Sequence, residues 1–164
     1  MIVISEATSG DFKTIQEIAY ATWPHAYGEI LSKAQLEYML DLFYSEEALS
    51  ENMNKGQHFL LVKEHDVCLG FASYEHNYLG AAVTRLHKLY LLPEAQGKGV
   101  GLKLMQAVED LARKNKSKVI SLNVNRFNKA LGFYKKYGFI VVAKEDVAIG
   151  HGYLMEDYKM EKPL

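Results

Sequence analysis

The segment Gln96-Gly97-Lys98-Gly99-Val100-Gly101 restricts the fold of this 164-residue chain more than any other feature. It follows an apolar stretch, Val83 to Leu92, which is typical of a β-strand and ends at Pro93. It leads into the amphipathic helical pattern of Gly99 to Lys114. A strand, a glycine-containing turn and a helix N-terminus bring unpaired backbone N–H groups together at the positive end of a helix dipole. This unit predicts an α/β fold with a diphosphate-binding site at the turn.

Spacing separates this loop from two other phosphate-binding loops. The glycines form G-x-G-x-G rather than G-x-G-x-x-G, and no acidic residue closes a following strand as a ribose ligand would, which argues against a dinucleotide-binding site. Lys98 is followed by Gly99 rather than by Ser or Thr, which argues against a nucleoside triphosphate loop. A glycine turn without a ligand is the structural alternative, but three glycines at a helix N-terminus favour close approach of a phosphate.

The remaining pattern predicts a single domain over residues 1–164 with a mixed sheet of about seven strands, in the order β-α-α-β-β-β-α-β-α-β-β. Thr8 with Asp11, and Ser32 with Gln35, have the spacing of helix capping boxes. Pro24 is expected to interrupt the first helix. A short helical turn is predicted over residues 46–53. The predicted strands cover residues 2–6, 57–63, 67–76, 83–92, 119–124, 139–146 and 153–161.

Charge and composition exclude several classes of partner. Nineteen basic and twenty acidic residues give a net charge of −1, which favours neither nucleic acid nor an anionic membrane. No apolar run approaches the ~18 residues of a membrane span, and the N-terminus lacks the pattern of a signal peptide. Cys68 is the single cysteine, and no Cys/His spacing suggests a metal site. We therefore expect a cytoplasmic protein without metal, nucleic acid or membrane partner.

Two motifs resemble the signatures of one enzyme family. Gln96-x-x-Gly99-x-Gly101 is similar to the acetyl-CoA signature Q/R-x-x-G-x-G/A of the GNAT acetyltransferases. The segment Asn128 to Phe139 resembles the second GNAT signature, which begins at an asparagine and continues through F-Y-x-K to G-F. The resemblance extends over residues 1–161. It implies the GNAT fold, acetyl-CoA as the cofactor and a homodimer, with strands 83–92 and 119–124 splayed apart at a bulge to admit the pantetheine arm.

The resemblance also implies roles for individual residues toward the coenzyme. The diphosphate would lie on the backbone of the glycine loop, and the pantetheine along the edge of strand 83–92. Asn128 would hydrogen-bond the pantetheine arm, although a plain helix cap is an alternative role for it. Tyr134 would lie near the sulfur and protonate the departing thiolate. The cofactor-binding residues implied are Leu89, Tyr90, Leu91, Gln96, Gly97, Lys98, Gly99, Val100, Gly101, Asn128, Phe133 and Tyr134.

Amide formation from a thioester requires a base, because a primary amine with a pKa near ~10 is charged at neutral pH. His87 is the first candidate, since strand alternation puts it on the same face as Leu89 and Leu91 and imidazole titrates near neutrality. A partly solvated strand residue is the competing interpretation of His87. Glu75 on the neighbouring strand is the second candidate. By resemblance, the backbone N–H of Leu91, at the bulge, would stabilise the oxyanion.

The acceptor site is less constrained. Trp23, Tyr27 and Glu29 fall in the helical segment that forms the acceptor groove of the family, but core packing is an alternative for the aromatic residues and a solvated helix face for the acid. The C-terminal run 148–161 resembles the bacterial polyamine N-acetyltransferase branch, which implies spermidine or spermine as acceptor. Aminoglycosides, ribosomal N-termini and amino-acid derivatives remain open.

Two other functions compete with catalysis. A GNAT-like sensor would bind acyl-CoA without transferring the acetyl group, and it would keep most of the same residues. An enzyme acting on nucleotide phosphates is a third hypothesis. Release of free thiol from acetyl-CoA in the presence of amines separates the enzyme from the sensor.

Overall fold

The computed structural model describes all residues from 1 to 164 and contains seven strands and five α-helices. The strands are β1 (Ile2–Glu6), β2 (His58–Glu64), β3 (Val67–Glu75), β4 (Val83–Leu91), β5 (Val119–Asn125), β6 (Ile140–Gly150) and β7 (Tyr153–Pro163). The helices are α1 (Phe12–Tyr27), α2 (Lys33–Tyr44), α3 (Glu46–Asn54), α4 (Val100–Lys114) and α5 (Ala130–Tyr137).

All seven strands belong to one sheet, in the order β1-β2-β3-β4-β5-β7-β6. β4 and β5 are parallel, and every other neighbouring pair is antiparallel. The parallel step follows from the α4 crossover, since a connection that returns a strand in the same direction needs a helix-length segment. The predicted mixed α/β sheet is confirmed.

Two apolar clusters, one on each face of the sheet, stabilise the fold. On one face, Leu104 and Val108 of α4 pack with Leu122 of β5, and all three are almost fully buried. On the other face, Ile15 of α1 and Met39 of α2 belong to a second cluster together with residues of β2 and β3. Each fully buried aliphatic side chain contributes about 1.5–3 kcal/mol relative to exposure. None of the five helices is long and apolar enough to cross a membrane.

Of two expectations about the helical region, the first is wrong and the second is confirmed. Pro24 does not interrupt the first helix, because α1 continues through it to Tyr27. The buried side chains of Trp23 and Tyr27, on either side of the proline, pack against Tyr90 of β4 and offset the lost backbone hydrogen bond. The helical segment predicted over residues 46–53 is present as α3 over residues 46–54, where Ser45 caps it and Leu49 anchors it in the core.

The two capping boxes differ in outcome. At Thr8 and Asp11 both reciprocal hydrogen bonds are present. The Ser32 hydroxyl accepts a hydrogen bond from the Gln35 N–H at 3.1 Å, but the Gln35 side-chain amide donates to the Leu154 carbonyl of β7. Gln35 therefore connects α2 to the β6–β7 hairpin, which extends to Gly150 and is longer than the sequence pattern predicted.

Candidate active site

The parallel strands separate in the middle of the sheet and open a cavity. β4 pairs with β5 from Val83 to Leu86 and then diverges, while it stays paired with β3 as far as Leu91. The expected splay of these strands is therefore present. A cavity of about 810 Å³ occupies the gap and contains both the glycine loop and the start of α5 in its wall. Its size suits an elongated ligand lying along the free edge of β4.

The glycine loop presents main chain rather than side chains to this cavity. Gly97 and Gly99 have φ angles of +82° and +73°, which side-chain-bearing residues rarely adopt. A Cβ added at either position would meet no protein atom within 4 Å, so both positions face open space. Gly99 precedes α4 without any side-chain cap, which leaves the first N–H groups of the helix available to an anion. The loop therefore fits a diphosphate.

All of the predicted coenzyme-binding residues except one line the cavity. Lys98 lies outside the wall and is exposed to solvent. The Asn128 side chain accepts a hydrogen bond from the N–H of Ala130, the first residue of α5, at 2.9 Å, although the N-cap of that helix is Lys129, and Asn128 also lies in the wall. The members in the wall are Leu89, Tyr90, Leu91, Gln96, Gly97, Gly99, Val100, Gly101, Asn128, Phe133 and Tyr134.

A β-bulge in β4 changes the expected orientation of His87. Ser73 pairs with Lys88 and Tyr74 pairs with Leu86, so His87 is the extra residue without a partner on β3. The argument from simple alternation is therefore wrong: Leu89 and Leu91 pack into the cluster on the α4 face, whereas His87 contacts Glu75 on the opposite face. The bulge lies at His87, four residues before the position expected from the family resemblance.

The bulge joins the two candidate bases. His87 Nε2 lies 2.9 Å from Glu75 Oε1, and the two side chains are only 20% and 25% exposed. Since a carboxylate only accepts, Nε2 carries the proton and Nδ1 is the basic nitrogen. Burial lowers the pKa of His87, and the hydrogen bond that its ring donates to Glu75 opposes this without cancelling it. The imidazole is therefore neutral at neutral pH.

Three tyrosine hydroxyls converge near the splay. The hydroxyls of Tyr27 and Tyr90 are 2.9 Å apart, and Tyr134 from α5 is buried in the cavity wall beside them. Burial raises the pKa of all three tyrosines, so each hydroxyl remains protonated and can donate a hydrogen bond.

The residues expected at the acceptor site separate into two groups. Tyr27 and Glu29 line the cavity near the end of α1. Trp23 is 3% exposed, lies outside the wall and packs on Tyr27 with ring centroids 4.8 Å apart, so its contacts are those of a core residue. Core packing, the alternative interpretation, describes Trp23 correctly.

Lys88 is a wall residue that the sequence did not indicate. Its Nζ lies 3.5 Å from Gln57 Oε1 and above the rings of Tyr44 and Phe59, and burial lowers its pKa to about 8. A lysine in a strand ordinarily extends into solvent. Strand alternation puts Lys88 on the face opposite Leu89 and Leu91, and there the rings of Tyr44 and Phe59 cover it.

Comparisons with known proteins agree with this geometry. The model of the acetyltransferase (GNAT) domain family matches residues 29–162. A spermidine N(1)-acetyltransferase of Thermoplasma acidophilum is 29% identical over 161 residues, which cover 94% of this chain and 96% of that protein. The L-amino acid N-acyltransferase MnaT of Escherichia coli is 33% identical over 92 residues, about half of each chain. The crystal structure of the PaiA N-acetyltransferase from Thermoplasma acidophilum in complex with coenzyme A superposes with a TM-score of 0.84 at 28% identity, over 100% of this chain and 99% of that one.

Proposed function

Because the chain belongs to the GNAT acetyltransferase family, we propose that it transfers an acetyl group from acetyl-CoA directly to a primary amine, with His87 as the general base. The observation that carries this proposal is the hydrogen-bonded pair of His87 on β4 and Glu75 on β3, since His87 lies in the wall of the cavity that begins at the glycine loop. A neutral, hydrogen-bonded imidazole beside a coenzyme-sized cavity is what deprotonation of an amine requires.

The coenzyme would be held by main chain at one end and by the strand gap at the other. The N–H groups of Gly97, Gly99 and the first turn of α4 would bind the diphosphate, and the free edge of β4 would bind the pantetheine arm. Bound acetyl-CoA supplies an activated thioester. The similarity to a structure that contains coenzyme A supports this assignment.

His87 and Leu91 would act on the reacting atoms. Nδ1 of His87 accepts the proton of the ammonium group, and Glu75 holds the imidazole in the required tautomer. The Leu92 N–H donates to the Leu69 carbonyl of β3. Because successive N–H groups along a strand point to opposite sides, the Leu91 N–H points away from β3 toward the gap. That N–H is available to stabilise an oxyanion.

Tyr134 is expected to protonate the departing thiolate, which gives the first prediction. Tyr134→Phe removes the hydroxyl and should lower kcat by about 10- to 100-fold, as for loss of a general acid, with little change in acetyl-CoA affinity. Steady-state thiol release measures kcat. Tyr137→Phe is the matched control, because Tyr137 lies on the same helix outside the cavity wall and should retain full activity. Equal kcat in the two variants would remove Tyr134 from the mechanism.

The pH dependence gives the second prediction. Catalysis needs neutral His87, so the rate falls as pH decreases through the pKa of this residue. Because burial lowers that pKa, the midpoint of the fall should lie below the ordinary value of about 6.5. At each pH, kcat/KM of the unmodified protein is divided by kcat/KM of His87→Gln with the same amine acceptor. Ionisation of the acceptor affects both values equally and drops out of the ratio. The decrease of this ratio should be centred below about pH 6.5, and a decrease centred above pH 7 would contradict a buried, neutral base.

A polyamine is the acceptor class that we propose first. Glu29 in the cavity wall would attract a cationic amine, and the similarity to a spermidine N(1)-acetyltransferase over nearly the whole chain supports the same class. Thiol release from acetyl-CoA should be screened with spermidine, spermine, an L-amino acid and a peptide whose N-terminal residue is alanine. Highest kcat/KM for spermidine or spermine supports the proposal. Transfer to the amino acid alone would overturn the polyamine assignment, and no release with any amine would favour the sensor.

A further inference from the structure

The connection between β3 and β4 contains an unexplained backbone strain. Asn77 and Leu79 both have φ angles of +53°, in the left-handed region. Asparagine tolerates this region, but leucine rarely adopts it. The Leu79 side chain is 86% exposed, so no burial of its own compensates for the strained conformation. Strain of this kind persists where the surrounding structure requires it, and it concentrates at functional sites.

The residue between the two strained positions is Tyr78, and its ring contacts the active site. The Tyr78 ring meets the His87 imidazole edge to face, with centroids 5.6 Å apart and an interplanar angle of 79°. The Arg85 guanidinium lies above the same ring at 5.2 Å from its centroid. The strained connection therefore brings an aromatic side chain against the proposed base.

Arg85 is itself fixed, so the ring is held from two sides. Its guanidinium donates to Ser121 Oγ at 3.2 Å and to Asn123 Oδ1 at 2.7 Å, both on β5. It makes no ion pair within 4 Å, and its cation is available to the Tyr78 ring. Tyr78 is thus clamped between Arg85 and His87.

From these contacts we propose that Tyr78 is a positioning residue, which holds the His87 imidazole against Glu75 and keeps water away from the pair. This inference rests on the proposed function of His87 as base. The aromatic edge restricts rotation of the imidazole, while the Glu75 carboxylate fixes which nitrogen carries the proton. The strain at Leu79 is then explained as a consequence of directing Tyr78 inward.

The charges around His87 determine how loss of the ring would change its titration. Glu75 on β3 favours the protonated imidazole, whereas Lys88 and Arg85 on β4 disfavour it. Burial has the largest effect and lowers the pKa of His87. The Tyr78 ring is one of the groups that bury it. Removing the ring admits water, so the pKa of His87 should rise toward its ordinary value.

The test compares Tyr78→Ala with Tyr78→Phe in the intact protein without coenzyme. NMR titration of the His87 ring protons, assigned by their loss in His87→Gln, should show a raised pKa in Tyr78→Ala and an unchanged pKa in Tyr78→Phe. Turnover with acetyl-CoA should fall about tenfold in Tyr78→Ala and stay within about twofold in Tyr78→Phe, because a misplaced base costs rate rather than coenzyme affinity. Tyr20→Ala, which removes an exposed tyrosine of α1, should change neither quantity.

The outcomes separate this inference from the proposed function. An unshifted His87 titration in Tyr78→Ala, with circular dichroism showing a folded protein, overturns the positioning role even if the enzyme is active. Should Tyr78→Ala fail to fold, the same titration on Tyr78→Asn decides, because asparagine also removes the ring and suits a turn, and an unshifted pKa would overturn the role. Absence of acetyl transfer by the unmodified protein would contradict the proposed function, whereas the titration would still measure the effect of Tyr78 on His87.

Discussion

Gly99→Val is expected to abolish detectable binding of acetyl-CoA. Valine is strongly disfavoured at φ +73°, so the loop would change conformation and withdraw its N–H groups. Its branched side chain would also enter the open space in front of the helix N-terminus, where the diphosphate is proposed to lie. Loss of two charge-assisted hydrogen bonds, each about 1.5–3 kcal/mol, corresponds to a decrease in affinity of at least about 100-fold. Isothermal titration calorimetry with acetyl-CoA measures the change.

The chain offers a closely matched control for this substitution. Gly56, between α3 and β2, also has a positive φ, +102°, and also has no protein atom within 4 Å of an added Cβ. It lies outside the cavity wall. Gly56→Val should therefore carry a comparable backbone cost, visible as a lower unfolding temperature, and bind acetyl-CoA normally. Equal affinity of both variants for acetyl-CoA would show that the loop does not hold the coenzyme.

His87→Gln should lower kcat by about 10²- to 10⁴-fold, the range for removal of a general base, and leave acetyl-CoA affinity nearly unchanged. Glutamine can hydrogen-bond Glu75 but cannot accept a proton at neutral pH. Steady-state thiol release with a fixed amine gives kcat, and calorimetry gives the affinity. Glu75→Gln should have a smaller effect on kcat, because the imidazole remains but loses the partner that fixes its tautomer.

A second histidine–glutamate pair serves as the control. His58 Nδ1 of β2 lies 3.2 Å from Glu6 Oε1 of β1, toward the β1 edge of the sheet and outside the cavity wall. His58→Gln removes an imidazole from a similar pair and should leave kcat unchanged. A kcat for His87→Gln that matches that of His58→Gln across neutral pH would exclude His87 as the base.

The features that could be predicted from the sequence are those with a local physical cause. The positive φ angles at Gly97 and Gly99 strongly favour residues without a Cβ, so the glycine spacing alone indicated the loop. The apolar spacing of α4 follows from burial of one face of the helix, and Leu104 and Val108 are indeed fully buried. The strand–loop–helix unit was predicted for this reason.

The features that could not be predicted depend on tertiary contacts. The bulge at His87 arises from the register between β3 and β4, and no residue type in Leu86-His87-Lys88 indicates it. It reverses the face of His87, so strand alternation gave the wrong orientation for the base. The order β5-β7-β6 at the sheet edge likewise follows from long-range pairing rather than from any local pattern.

The residues expected at the acceptor site likewise could not be separated from core residues by sequence. Trp23 and Tyr27 are four residues apart on α1, yet Tyr27 lines the cavity while Trp23 packs in the core. Pro24 between them was expected to end the helix, and the packing of both neighbours against Tyr90 overrides that tendency. Sequence periodicity indicates which face of a helix is apolar, but not where a cavity meets that face.

Calorimetric titration of the purified protein with acetyl-CoA is the most direct test of the central claim, that the glycine loop and the β4–β5 gap form a coenzyme site. We expect saturable binding at a single site per chain. If no saturable heat of binding were seen with acetyl-CoA or with a longer acyl-CoA, the proposed coenzyme site would be wrong.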